Sequence, residues 1–170
     1  METAIRSGKD LALAAMLEAG ADPQMTNRLG QTAFHTAALE GSVRSLELLL
    51  PNLDPTKDKI LEMRDNAGDT PVHCASRGDH FAAISLFLEY AVMEDDRDES
   101  GRSESLTACN DLGESALLVA CASRSFRVAR RLLELGAEPY AVDYIGQVSL
   151  SLYVGGGGRR GGGGGGGRRR

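Results

Sequence analysis

The chain has no tryptophan, and aromatic residues fill only 5% of its 170 positions. A core without large rings has to be built from Leu, Ala, Val and Ile, and a hydrophobic content of 42% suffices for one domain. Cysteine is scarce too. Cys74, Cys109 and Cys121 are odd in number and widely spaced, which excludes a disulfide framework and fits a reducing compartment, cytoplasmic or nuclear. No run of 18 apolar residues occurs, so no membrane span is expected. The opening "METAIRSGKD" lacks the basic and apolar segments of a signal peptide.

A positive balance of charge is missing from the body of the chain. The net charge is −5, but Arg159, Arg160, Arg168, Arg169 and Arg170 all follow the last acidic residue, so residues 1–154 carry −10. Such a body is a poor match for nucleic acid or an anionic membrane surface. Motifs for chemistry are missing as well. There is no G-x-x-x-x-G-K-[ST] phosphate loop, and the polyglycine near the C-terminus follows no strand-to-helix pattern. His73 and Cys74, with His80 close by, are the nearest approach to a nucleophile or metal site.

What the sequence does contain is repetition. "GQTAFHTA" (30–37), "GDTPVHCA" (68–75), "GESALLVA" (113–120) and "GQVSLSLY" (146–153) all open on glycine and a polar residue. The glycines at 30, 68, 113 and 146 are 38, 45 and 33 residues apart. Stretches with apolar residues at helical spacing follow the first three copies, in "GSVRSLELLL", "DHFAAISLFL" and "RSFRVARRLL". "GKDLALAAML" has the same form and runs into "EAGADP", as the third runs into "ELGAEP". The unit reads as turn, short helix, tight loop, second helix and loop. Thr32, Thr70 and Ser115 are placed to cap the short helices, and Pro71 suits a first helical position. Gly20 and Gly136 are placed to end the longer ones.

These motifs resemble those of the ankyrin-repeat family, whose period of 33 and T-P-L-H-x-A pattern are matched most closely by "TAFHTAALEGS" and "TPVHCASRGDH". The resemblance covers about residues 1–150. It implies an all-α solenoid of helix-turn-helix units, with about three substantial repeats and partial terminal ones. The ankyrin-repeat domain is expected at 1–154, in units of about 1–29, 30–67, 68–112 and 113–145 plus a partial 146–154. In the family pattern the histidine ties down the turn by hydrogen bonding and the small residue after it packs between helices, so His73 and Cys74 read as structural. His35 is followed by Thr36, and later copies carry Leu118 and Ser151 in place of the histidine. No catalytic residue, metal or cofactor is expected.

The resemblance further implies a non-catalytic module that binds another protein through its turns and short helices. The corresponding positions are Arg28, Leu29, Gln31, Leu39 and Glu40, then Asn66, Ala67, Asp69 and Arg77. Asp111, Leu112, Glu114 and Ser123 follow, and Tyr144, Ile145 and Gln147 complete the row. Leu29, Leu112 and Ile145 form either an exposed apolar ridge or a packed seam between turns.

The chain departs from the pattern at several places. The first copy starts inside its short helix, which places Ala12, Ala15 and Met16 near an exposed end. Extra length falls in "PNLDPTKDKILEMRD", where "KDKILEM" can add a helical turn, and in "VMEDDRDESGRSESLTAC". The latter is an acidic loop with Ser100, Ser103 and Ser105 as candidate phosphate acceptors. Residues 155–170 are a disordered Gly/Arg-rich tail, read as a linker or as a weak, non-specific RNA contact. An RNA-associated protein, or a fragment of a larger multidomain protein, is the alternative reading.

Overall fold

The computed structural model describes residues 1–53, 60–94 and 106–146. The acidic stretch 95–105 with its three serines, residues 147–154 of the partial repeat expected at 146–154, and the Gly/Arg tail lie outside the described residues.

The helices come in pairs. These are α1 (Glu2–Arg6) with α2 (Asp10–Glu18), α3 (Ala33–Glu40) with α4 (Val43–Leu49), α5 (Pro71–Arg77) with α6 (Phe81–Glu94), and α7 (Ala116–Ala122) with α8 (Phe126–Glu134). Second helices are expected over 9–19, 42–50, 80–90 and 125–135; α6 runs four residues further, to Glu94. The short helices start where side-chain oxygens precede apolar runs. Thr32, Thr70 and Ser115 hold extended backbone at the N-cap, and the Ser115 hydroxyl accepts from the Leu118 N–H at 3.3 Å. Pro71 begins α5, where no N–H is needed.

Within each pair a single left-handed residue reverses the chain: Gly8, Gly41, Asp79 and Arg124, with φ between 57° and 65°. The short helices α1, α3, α5 and α7 pack in one row, and α2, α4, α6 and α8 pack in another. Alanines 33, 37, 38, 75, 116 and 120 let the short helices approach closely. Between the rows lie Leu13, Phe34, Leu46, Ile84, Phe87, Leu117 and Leu132, all essentially without solvent contact. Each such side chain contributes about 1.5–3 kcal/mol by burial.

The insertion after α4 forms a 3-10 turn at Leu50–Asn52 and another at Ile60–Glu62, which carries Ile60 into the core. The turn expected over 57–63 is thus a 3-10 turn in its described part. No strand occurs among the described residues, and an isolated antiparallel bridge joins Cys109 and Ser115.

Candidate protein-binding face

The turn preceding each short helix is built by one side chain. Asn27 Oδ1 accepts from the N–H groups of Leu29 (2.9 Å) and Gln31 (3.0 Å). Asp65 Oδ1 does the same for Ala67 (2.9 Å) and Asp69 (3.0 Å). Asn110 Oδ1 serves Leu112 and Glu114, both at 3.0 Å, and Asp143 Oδ1 serves Ile145 at 3.0 Å. These side chains mimic a backbone turn. They are not among the positions expected from the sequence, although Asn or Asp stands three residues before every repeat glycine.

The turns are also tied tip to tip. Asn66 N–H donates to the Leu29 carbonyl at 3.0 Å, Asp111 N–H to Ala67 at 3.0 Å, and Tyr144 N–H to Leu112 at 3.2 Å. The glycines are required here for two reasons. Gly30, Gly68 and Gly113 have φ of 74°, 74° and 77°, and a Cβ on them would run into Asn66, Asp111 and Tyr144 respectively.

This framework locates the expected binding positions. Arg28, Asn66, Asp111 and Tyr144 are exposed and occupy equivalent places on successive tips. Leu29, Leu112 and Ile145 are 59%, 64% and 79% exposed, so they stand out as a ridge and are not packed into a seam. Leu39 is half-buried, and Glu40 is exposed, 3.6 Å from Arg6 Nε. Ala67, Arg77 and Ser123 are exposed. Gln31 and Glu114 are half-buried and engaged within the fold, Gln31 Nε2 donating to Asp65 Oδ2 at 3.3 Å and Glu114 Oε2 accepting from Asn110 Nδ2 at 2.9 Å.

Asp69 requires a correction. It is only 3% exposed, so it is not one of the surface positions of the row. Its Oδ2 accepts from Arg77 at 2.7 Å and its Oδ1 from Asn110 Nδ2 at 2.9 Å. The physical reason is that two neighbouring donors converge on it and compensate its desolvation. Arg77 is correspondingly half committed to holding Asp69.

The His-Cys pair is occupied in the same way. The Thr70 N–H and hydroxyl lie 3.2 and 2.8 Å from His73 Nδ1, and Nε2 lies 3.0 Å from the Glu114 carbonyl. Thr32, His35 and the Asp69 carbonyl repeat the arrangement at 3.2, 2.9 and 3.0 Å. A carbonyl only accepts, so Nε2 carries the proton and Nδ1 receives the backbone N–H. Burial pushes both histidines below their usual pKa and keeps the rings neutral. Cys74 and Cys121 are pushed up to about 12 and about 11 by burial, which denies them thiolate character near neutral pH. His80 Nε2 donates to the Leu39 carbonyl at 3.0 Å, closing the end of α3.

Asp65, Asp69 and Cys74 bring ligand-type atoms within 4.8 Å of one another. All four carboxylate oxygens already accept hydrogen bonds, and the thiol is protonated. These residues have the chemistry of a packed turn, not of a metal centre.

Paired helices stacked in two rows, with tips tied by backbone hydrogen bonds, define a helical repeat solenoid. The chain belongs to the ankyrin-repeat family: the family described as Ankyrin repeats (3 copies) matches residues 1–99 and 58–143. It is 36% identical over 76 residues to Inversin of Gallus gallus, covering 45% of this chain and 6% of that protein. It is 35% identical over 86 residues to ANK repeat-containing protein nipk-1 of Caenorhabditis elegans, covering 49% of this chain and 13% of that protein. The chain therefore spans only a small part of the length of these relatives. Ankyrin repeats are generally protein–protein interaction modules, and no helix of the described residues is long and apolar enough to cross a membrane.

Proposed function

We propose that this chain is a non-catalytic binding module that takes a protein partner across its turn tips and short-helix face. The observation that carries this reading is the ridge of Leu29, Leu112 and Ile145, exposed on tips whose spacing the inter-turn hydrogen bonds fix. Tyr144, 80% exposed, adds an aromatic of the kind that anchors interfaces. Arg28, Asn66 and Asp111 supply the polar contacts beside the ridge, with Leu39, Glu40 and the outer edge of Arg77 extending it onto the short helices. Exposed apolar groups held rigidly lose little entropy on binding, which favours affinity. Three unpaired cysteines favour a cytoplasmic or nuclear setting.

The test is comparative capture. Wild type and a Leu29→Asp/Leu112→Asp/Ile145→Asp variant, with melts matched by circular dichroism, are used as bait with a photo-crosslinker replacing Ala67. A partner crosslinked by wild type and lost from the variant is the expected result. Equal capture by both would refute the ridge as the binding surface.

A further inference from the structure

The second row of helices carries a charged surface that the turn-tip face does not explain. Helices α2 and α6 have acidic residues and no basic ones, and α4 has one of each sign. Helix α8 reverses this, with Arg127, Arg130 and Arg131 against Glu134 alone. These four residues recur at helical spacing and so share one face. Arg124 precedes them, exposed, in the left-handed loop position. On a body with a net charge of −10, this is a local inversion of sign.

The surface is shaped as well as charged. Phe81, Arg127, Arg130, Arg131 and Glu134 line an open depression of about 270 Å³. Phe81 forms an apolar side of it, and the Arg127 guanidinium lies over the Phe81 ring, 5.9 Å from its centre. Arg130 Nε and Arg131 Nη1 both reach Glu134, at 3.0 and 3.5 Å. One carboxylate thus shares two guanidinium groups, which leaves donor capacity for a second.

We propose that the α6–α8 face is a second docking surface, which takes an acidic protein segment with carboxylates on the arginines and an apolar side chain against Phe81. Charge complementarity favours this occupant over a nucleic acid, because a longer polyanion would extend from four arginines onto an acidic body. Glu134 occupies the place of one incoming carboxylate and competes with it.

The probe is a short fluorescein-labelled poly-glutamate peptide with a central phenylalanine, read by anisotropy with the full chain. Binding is expected at low salt and should weaken as salt screens the charges. Arg127→Glu/Arg130→Glu, two exposed changes checked by circular dichroism, should weaken it at least about tenfold. Glu134→Gln should tighten it several-fold, which a merely structural ion pair would not do. No binding by wild type, or equal binding by the arginine variant, would overturn the proposal. So would tighter binding of an oligouridylate RNA that is lost in that same variant.

Discussion

His35 Nε2 donates to the carbonyl oxygen of Asp69, 3.0 Å away and 34 positions further along the chain. One imidazole thereby joins a short helix to the turn of the next unit, while its Nδ1 receives the Thr32 N–H that opens its own helix. His73 makes the same link to Glu114. The third copy has Leu118 at this position and no ring to offer.

Removing either ring leaves the buried N–H of Thr32 or Thr70 without its acceptor. It also takes one of two donors from the Asp69 or Glu114 carbonyl, which keeps the N–H of Asp65 or Asn110. His35→Ala and His73→Ala should each cost about 1–3 kcal/mol. Urea denaturation followed by circular dichroism measures this directly. A cost near zero for both would mean that water satisfies the exposed groups.

The same rings predict a pH dependence. Both histidines have folded-state pKa values below the usual 6.5 because burial disfavours the charged form. Between the folded and unfolded pKa values the unfolded chain binds more protons, so stability falls as pH drops below about 6.5. Each histidine contributes a slope of up to about 1.4 kcal/mol per pH unit in that window. Melts from pH 7.5 down to 5.5 should show a falling Tm, and a His35→Gln/His73→Gln variant should show a flatter profile.

The repeat and its helices were legible because glycine, a capping hydroxyl and a helical apolar pattern recur together in the sequence. The role of the histidines came from the family resemblance. Asn27, Asp65, Asn110 and Asp143 repeat just as regularly, but an Asx side chain bonding its own turn leaves no hydrophobic periodicity to find. Asp69 was misplaced for a different reason. Its burial depends on Asn110, which lies 41 residues away, and on Arg77 reaching back from the end of α5. A charge at a nominal surface position gives no hint of such convergence.

Asp69 should therefore behave as a stability residue. Asp69→Ala removes the acceptor of Arg77 and one of the two acceptors of Asn110 Nδ2, and is expected to cost about 1–3 kcal/mol. Arg28→Ala, on an exposed tip, should stay within about 0.5 kcal/mol. Chemical denaturation of the two variants side by side separates them, and similar midpoints would restore Asp69 to the surface row.

The three thiols should react unequally. Cys109 is exposed, whereas Cys74 and Cys121 are buried with raised pKa values. A chromogenic disulfide reagent at neutral pH should modify Cys109 quickly in the folded protein and the other two only on unfolding. Cys74→Ala keeps a small apolar side chain and should cost no more than about 1 kcal/mol. Fast labelling of Cys74 would contradict its packed position.

The ring of His80 sits against two glycines. A Cβ on Gly41 or on Gly78 would run into that ring. Gly41 also has φ of 65°, so Gly41→Ala combines left-handed strain with a clash, at about 2–4 kcal/mol. Gly78 has φ of −91°, so Gly78→Ala isolates the clash. Gly20 has φ of 81° and nothing within 4 Å of an added Cβ, so Gly20→Ala isolates the strain, at about 1–2 kcal/mol. His80→Ala removes the obstacle but loses the bond to the Leu39 carbonyl. Combining it with Gly78→Ala should then cost less than the sum of the single changes, a coupling that a double-mutant cycle of urea midpoints resolves. Strict additivity would show that the ring can swing clear, and that the glycine is not required by its contact with His80.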